Sequence, residues 1–288
     1  MTEECEVCGK EFDELEKLEE HMNEEHEEKA EKFDKSAIKD AVSGKLDMDE
    51  EEGSKTSDYK VSTGIEGLDI MLEGGFPEGN LVLLTGGPGT GKTTCGLQFL
   101  LEGCENGESG VFVSLEEKEE KIVKNAERIG WDIQKYLDDG KLKIIKPPLR
   151  SYDAFKDSVD RAVSDMDAKR VVIDSITMLG GYFKNEFQIR KKIIELSEMM
   201  SLTDATVELI TEIPVGDTGI STFGVEEFAV DGILEFFYMQ KENHFVRGIT
   251  VRKMRGSDHS EDIHPLKIGR GGLTVFPDEK VFTSFEPD

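Results

Sequence analysis

The sequence predicts an α/β fold with a mostly parallel central sheet and an antiparallel extension at the C-terminal end. From residue 59 onward, short apolar runs such as LVLLT at 81–85 and VVID at 171–174 alternate with stretches of helical periodicity. This alternation is typical of βαβ units, whose strands are buried on both faces. A glycine-rich loop separates the first such strand from the helix that follows it. After Val230, strand-like segments succeed one another with turns near 241–243 and 269–272, which predicts the antiparallel extension.

Charge divides the 288 residues into unequal parts. Residues 1–58 carry 22 acidic and 8 basic side chains, a net charge of −14, which is about half of the −27 of the whole chain. The segment 28–58 has few large apolar residues, so it cannot bury enough surface to offset chain entropy. We therefore expect a small domain at 1–27, an acidic linker at 28–58 that is partly helical or disordered, and one α/β domain at 59–288.

The composition disfavours several classes of protein. A net charge of −27 repels nucleic-acid phosphate and anionic membranes unless a local basic patch overrides it. The chain has no run of about 18 apolar residues, and its N-terminus lacks the basic and apolar regions of a signal peptide. We therefore expect a cytoplasmic protein that spans no membrane and does not have nucleic acid as its partner.

Two cysteines and two histidines near the N-terminus have the spacing of a tetrahedral zinc site. The pattern is Cys-x2-Cys-x12-His-x4-His, and Phe12 and Leu18 fall where a ββα finger buries its core side chains. The segment resembles the C2H2 zinc-finger family. The alternative is a chance pairing of these residues in an acidic coil. The resemblance implies that Zn²⁺ is bound by Cys5, Cys8, His21 and His26.

The predicted finger is unsuited to DNA. The helix positions that would face bases are Glu14, Lys17 and Glu20, with Glu16 between them, so three of the four are acidic. Their surroundings would repel phosphates, which supply most of the affinity for DNA. We therefore expect the finger to dock a protein partner or to be purely structural.

Residues 86–94, GGPGTGKTT, match the phosphate-binding pattern G-x4-G-K-[ST]. The loop follows an apolar strand and precedes a helical stretch, so backbone N–H groups and a helix N-terminus would converge on the phosphates. Lys92 would neutralise the β and γ oxygens, and Thr93 would ligate Mg²⁺. The alternative is an ordinary glycine-rich turn. The predicted nucleotide-binding residues of the loop are Gly86, Gly87, Gly89, Thr90, Gly91, Lys92, Thr93 and Thr94.

Cys95 and Cys104 follow in the helical stretch after this loop. A free cysteine in such a place is most often a small buried hydrophobic residue. We expect the same of both.

Acidic residues at strand ends complete the predicted nucleotide site. Asp174 ends the strand VVID about 80 residues after the loop, where a carboxylate would hold the hydration shell of Mg²⁺. Glu116 and Glu117 follow the strand VFVSL at the edge where α/β sheets place ligands. Either glutamate could deprotonate the attacking water. The alternative for the glutamates is a solvated charge run, and for Asp174 a turn cap.

These motifs occur in a longer order that resembles the KaiC-like branch of the RecA-type ATPases. The order runs STGIEGLDIMLEGGFPEG, GGPGTGKTT, VFVSLEE, GWDI with GKLKII, VVIDS, GVEEFAVDGI, KMRGSDH and GRGGLTVFP, over about 60–277. The resemblance implies a RecA-like P-loop domain that binds ATP with Mg²⁺. It also implies catalytic roles for Glu116 and Glu117, and a ring of subunits, such as a hexamer, with ATP between neighbours.

The same resemblance assigns roles to Lys253, Arg255 and His259 in VRKMRGSDH. It implies that this segment reaches the γ-phosphate of a neighbour's ATP, with Lys253 and Arg255 stabilising charge in the transition state and His259 near the nucleotide. The alternative is exposed cations paired with surface carboxylates.

The chain also departs from the family pattern. It has one such domain where KaiC has two. Ser221 and Thr222 lie near the place of the family's phosphorylated pair but in the wrong register, so autophosphorylation is left open. The function expected from the sequence is slow, regulatory ATP hydrolysis with a zinc finger for partner docking. The alternatives are a nucleotide-binding switch that barely hydrolyses ATP and, less favoured, a DNA recombination protein.

Overall fold

The computed structural model describes residues 59–281 and two short strands nearer the N-terminus. Within that range, Leu149 and the segments 183–185, 214–218 and 242–243 are not described, nor are residues 223 and 225. The chain forms two compact units that meet in sequence between Lys55 and Thr56.

The first unit contains the two short strands, β1 (Glu3–Glu4) and β2 (Glu11–Phe12). They pair antiparallel, with Glu3 opposite Phe12. The four predicted zinc ligands, Cys5, Cys8, His21 and His26, lie outside the described residues, as does the predicted linker at 28–58.

The second unit is built on strands separated by helices. The helices are α1 (Glu66–Met71), α2 (Lys92–Glu105), α3 (Glu119–Ile129), α4 (Ile133–Asp138), α5 (Tyr152–Met166), a 3₁₀ segment (Ile176–Tyr182), α6 (Glu186–Ser201) and α7 (Glu226–Ala229). The strands are β3 (Lys60–Val61), β4 (Phe76–Pro77), β5 (Leu81–Gly86), β6 (Gly110–Ser114), β7 (Leu142–Ile145), β8 (Arg170–Asp174), β9 (Thr206–Ile210), β10 (Gly232–Lys241), β11 (His244–Met254), β12 (His264–Gly269) and β13 (Gly272–Val275).

Among the described residues, nine strands form one sheet in the order β13-β12-β11-β10-β5-β9-β8-β6-β7. The strands from β10 to β7 in this order are mutually parallel. The pairs β10 with β11, β11 with β12 and β12 with β13 are antiparallel. The predicted parallel sheet with a C-terminal antiparallel extension is confirmed.

Apolar side chains pack on both faces of the parallel strands. On one face, Val82 and Leu84 of β5 join a core with α2, which contributes Phe99. On the other face, Leu81 and Leu83 join a second core with helices α5 and α6. Burial on both faces explains why these strands are continuous apolar runs in the sequence.

The two cysteines of α2 are buried, as the sequence predicts. Cys95 and Cys104 are 0% and 1% exposed. Burial raises the pKa of Cys104 to about 11 and holds that of Cys95 well above its usual value. Both thiols are therefore neutral, and they fill the core as small hydrophobic groups.

A carboxyl group is buried beneath α2 without a hydrogen-bond partner. Glu208 of β9 is fully buried, and within the described part of the chain neither carboxylate oxygen has a partner. The helix passes close above it, because a Cβ added at Gly96 would lie 3.2 Å from Glu208 Oε2 and 2.7 Å from Val172 Cγ1. Burial raises the pKa of Glu208 to about 8, so the neutral acid is the folded form at neutral pH.

We expect this carboxyl group to make folding less favourable as pH rises. In the unfolded chain a glutamate loses its proton near pH 4.3, whereas the folded chain keeps that of Glu208 up to about pH 8. Between these values the unfolded state binds fewer protons, so the free energy of unfolding falls by up to about 1.4 kcal/mol per pH unit. The destabilisation by Glu208 is absent below about pH 4.3 and reaches its full size above about pH 8. The free energy of unfolding, measured by urea unfolding at several pH values from 5 to 8, should fall less steeply with pH in Glu208→Gln than in wild type.

The exposed Glu127→Gln is the matched control and should keep the wild-type slope. Parallel slopes for Glu208→Gln and wild type would contradict the assignment.

Candidate nucleotide site

The carboxyl ends of four parallel strands meet at one edge of the sheet. Ser114 of β6, Asp174 of β8 and Ile210 of β9 are side by side in register, and Leu84 of β5 lies next to Ile210. The loop 86–91 leaves β5 at this edge. The edge therefore gathers, from consecutive strand ends, the groups that the sequence predicts for a nucleotide site.

The loop 86–91 has a backbone that requires glycine at its two ends. Gly86 has a φ of 143°, and a Cβ there would collide with the carbonyl of Phe236. Gly91 has a φ of 115° and is the residue from which α2 begins. Side chains at either position would be strained. The loop thus closes tightly onto the first turn of α2, whose free N–H groups attract anions.

Lys92 is held inside the loop. Its side chain is 5% exposed, and Nζ donates to the carbonyls of Gly86 at 2.7 Å and Gly87 at 2.8 Å. Burial lowers the pKa of Lys92, while the negative charges of Glu212, Asp174 and Glu116 oppose the shift. The ammonium group is therefore a buried cation under the influence of three carboxylates, placed where phosphate oxygens would approach the loop.

Thr93 and Asp174 form a pair of oxygen donors beside Lys92. Thr93 Oγ1 donates to Asp174 Oδ2 at 2.7 Å. Burial raises the pKa of Asp174 to about 6, and the hydrogen bond from Thr93 counteracts this. A hydroxyl and a half-buried carboxylate are hard oxygen ligands, and a cation would offset the cost of partly burying the charge. The donor set fits Mg²⁺.

The two adjacent glutamates point to different partners. Glu116 Oε1 accepts a hydrogen bond from Ser175 Oγ at 3.0 Å, next to Asp174. Glu117 forms an ion pair with Lys121 on α3, and its backbone is fixed by Ser114. Glu116 therefore faces the candidate site, whereas Glu117 makes the kind of surface ion pair expected of a charge run.

The structure adds two residues that the sequence analysis missed. Glu212, two residues beyond β9, lies near enough to Lys92 to influence its pKa. Arg247 of β11 donates from Nε to the carbonyl of Gly89 in the loop at 2.9 Å. The strand-end rule that selected Asp174 could have selected Glu212. No local signal marks Arg247, because only the β10–β11 hairpin brings it to the loop.

Comparison with known proteins identifies the family of this chain. A family model described as "ATPase: KaiC" matches residues 61–280, which is more than half of the chain. The chain belongs to the KaiC ATPase family.

The chain is also similar to UPF0273 proteins of other organisms. The protein of Pyrococcus furiosus is 37% identical over 76% of this chain and 95% of its own length. That of Methanopyrus kandleri is 40% identical over 77% of this chain and 94% of its own. The crystal structure of a KaiC-like protein from Pyrococcus horikoshii OT3 is 40% identical, with a TM-score of 0.71 over 76% of this chain and 99% of that one. The RecA-like α/β fold of the family is confirmed.

The remaining residues predicted from the KaiC resemblance are not at this edge. Lys253 pairs with Ile233, which lies beside Leu83, three residues before Gly86. About 10 Å of strand therefore separates Lys253 from the start of the loop. Because β11 runs antiparallel to β5, Arg255 is further away still. The structure does not bring these two cations to the loop of their own chain.

Hydrogen bonds and an ion pair hold Lys253 and Arg255 in place, away from the loop. Lys253 Nζ donates to the carbonyls of Glu227 at 3.2 Å and Val230 at 2.5 Å. Arg255 Nη1 lies 3.3 Å from Asp231 Oδ1, while its side chain remains 61% exposed. Burial lowers the pKa of Lys253, and neighbouring Arg255 adds to the shift. Nearby, His259 is half-buried, and its Nδ1 has no hydrogen-bond partner among the described residues.

The part of the chain that the structure describes holds no group of three or more His, Cys, Asp or Glu side chains arranged for a metal ion. The described helices include none long and apolar enough to cross a membrane.

Proposed function

We propose that this chain binds ATP with Mg²⁺ at the loop 86–91 and hydrolyses it. The observation that carries the proposal is the buried Lys92 at the N-terminus of α2, beside the 2.7 Å pair of Thr93 and Asp174. A cation, a helix N-terminus and two oxygen donors in one place suit a polyphosphate and its metal ion. Membership of the KaiC ATPase family supports the same activity.

In the proposed complex, the phosphates lie on the loop and the first turn of α2. Lys92 exchanges its two carbonyl acceptors, Gly86 and Gly87, for phosphate oxygens. Thr93 and Asp174 would hold Mg²⁺, which when bound would neutralise developing charge on the phosphates. Arg247, already on the loop through Gly89, supplies a second cation within the chain.

Hydrolysis then requires a base opposite the γ-phosphate. The hydrogen bond from Ser175 fixes Glu116 through Oε1 and leaves Oε2 to accept a proton from water. The water oxygen forms a bond to the γ-phosphorus while the bond from that phosphorus to the β,γ-bridging oxygen breaks. The electron pair leaves with ADP, and the proton goes to Glu116. Glu117, paired with Lys121, takes no part in this step.

The binding step is tested by Lys92→Ala. Removal of the central ammonium should weaken binding of ATP, measured by calorimetry with Mg²⁺, by roughly 100-fold, because charge-assisted hydrogen bonds to phosphate are lost. The exposed Lys118→Ala removes the same charge nearby and should keep wild-type affinity. Unchanged affinity in Lys92→Ala would place the nucleotide elsewhere.

We also propose that active sites are shared between subunits. Lys253 and Arg255 lie too far from their own loop to reach its nucleotide, yet Arg255 remains largely exposed. In a ring of identical subunits, each chain can present these cations, with His259 nearby, to the ATP of its neighbour. The proposed role of both cations is to stabilise transition-state charge on the γ-phosphate.

For the N-terminal unit we propose a zinc finger that docks a protein partner. Two thiols and two imidazoles at this spacing are the donor set of a structural zinc site, and the acidic residues between them disfavour DNA. Protein purified without chelator should contain one zinc ion per chain, measured by atomic emission. The double variant Cys5→Ser/His26→Ala should contain none, and zinc retained in it would reject the proposed ligands.

A further inference from the structure

A positively charged groove lies between β7 and α5, although the chain as a whole is acidic. It has a volume of about 290 Å³ and is lined by three cations, Lys143, Lys146 and Arg161, against one carboxylate, Asp165. The chain as a whole carries a net charge of −27. The groove is therefore a local reversal of charge, and it is not part of the nucleotide site.

Two of the three cations are available to an occupant. Lys146 Nζ is engaged, because it donates to the carbonyl of Glu116 at 2.7 Å. Lys143 lies 3.8 Å from Asp165, both of them well exposed, and such a contact contributes little. Arg161 is exposed, and within the described part of the chain its guanidinium has no hydrogen bond or ion pair. The groove thus offers one free guanidinium and one weakly held ammonium group.

The floor of the groove is an edge strand. β7 is the last strand of the sheet as described and pairs with β6 on one side. Every second residue of such a strand turns its N–H and C=O away from the sheet, where an added strand can bond to them. Lys143 and Ile145 line the groove, whereas Leu142 and Ile144 belong to the core on the other face. An added strand would therefore place alternate side chains over Lys143 and Arg161.

We propose that this groove binds an extended acidic peptide of a partner protein, which adds to β7 as a further strand. Backbone hydrogen bonds to the edge of β7 supply affinity, and carboxylates at every second position meet Lys143 and Arg161. Four residues of β7 span about 13 Å, so a segment of similar length pairs with it. The lysines at this edge disfavour pairing with an uncharged strand, because pairing would bury their charge, whereas an acidic strand neutralises it.

Charge favours a peptide over nucleic acid in this groove. Single-stranded nucleic acid needs a continuous basic channel with aromatic faces for its bases. The groove lining has neither, since Asp165 interrupts the cations and no aromatic side chain is present in it. An oligonucleotide therefore enters the test as the competing occupant.

The test uses the full-length protein and a fluorescein-labelled, end-capped heptapeptide that alternates Asp and Val. Fluorescence anisotropy should show binding that Lys143→Glu/Arg161→Glu weakens by about tenfold or more. The control Lys124→Glu/Arg128→Glu makes the same charge change on the exposed face of α3 and should leave binding intact. Thermal unfolding of both variants shows whether each is folded.

A second measurement tests the strand addition itself. Amide hydrogen exchange in β7 should slow when the peptide is bound, and a peptide N-methylated at alternate residues should bind about tenfold more weakly. The proposal is wrong if wild type does not bind the peptide, if the control variant loses as much binding as the groove variant, or if exchange in β7 is unchanged. It is also wrong if an oligothymidylate of equal charge binds the groove equally well.

Discussion

Glu116→Gln is expected to lower steady-state ATP turnover by a factor of about 100 while leaving ATP affinity close to that of wild type. The amide cannot accept the proton of the attacking water, but it is the same size and can still accept the hydrogen bond from Ser175. Binding depends on Lys92, Thr93 and the loop, which this substitution does not touch. Phosphate release and calorimetric ATP binding measure the two quantities separately.

Glu117→Gln is the matched control, because it removes the same charge one residue away. The structure pairs Glu117 with Lys121 on α3, so this variant should keep most of its turnover. Loss of turnover in Glu117→Gln alone would exchange the roles of the two glutamates. Wild-type turnover in Glu116→Gln would favour a nucleotide-binding switch over an ATPase.

The second large effect is expected on mixing two inactive variants. Lys92→Ala lacks a working loop but keeps Lys253 and Arg255, whereas Arg255→Ala keeps its loop. If each site takes its cations from a neighbour, interfaces between the two kinds of subunit restore complete sites. The mixture should therefore hydrolyse ATP at a substantial fraction of the wild-type rate, although each variant alone is nearly inactive. Turnover per subunit should also rise with protein concentration.

A different pair controls for simple mixing effects. Lys92→Ala and Asp174→Asn both damage the loop side of the site, so no interface in their mixture contains a complete site, and turnover should stay low. Recovery in this control mixture would mean that the first recovery has another cause. A monomer with full turnover would leave Arg255 with only its surface ion pair to Asp231, and Lys253 with only its bonds to the carbonyls of Glu227 and Val230.

The sequence predicts those parts of the site that are local in the chain. Lys92 and Thr93 belong to one short motif, and Asp174 and Glu116 follow strands that their apolar pattern reveals. Arg247 could not be predicted, because its contact with Gly89 depends on how the β10–β11 hairpin lies beside the loop.

Features that depend on three-dimensional packing could not be predicted from the sequence either. Glu208 is the one charged residue of the strand Thr206–Ile210, and a charge in a strand ordinarily indicates a side chain that faces solvent. It is buried because β9 is covered on both faces, with α2 directly above. The partner of Glu116 likewise depends on the fold, because Ser175 lies 59 residues away in the sequence. The ion pair of Glu117 with Lys121, by contrast, joins residues only four positions apart.

The separation of Lys253 and Arg255 from the phosphate loop has a consequence for symmetry. The loop is at the carboxyl ends of the parallel strands and the two cations are nearer their amino ends. The two surfaces that meet at a shared site are therefore different. A two-fold dimer joins identical patches and cannot form such a site. A contact between unlike patches adds subunits head to tail. Addition stops only when the rotation from one subunit to the next brings the last subunit back to the first and closes a ring. A shared site therefore requires cyclic closure, or else growth into an open filament.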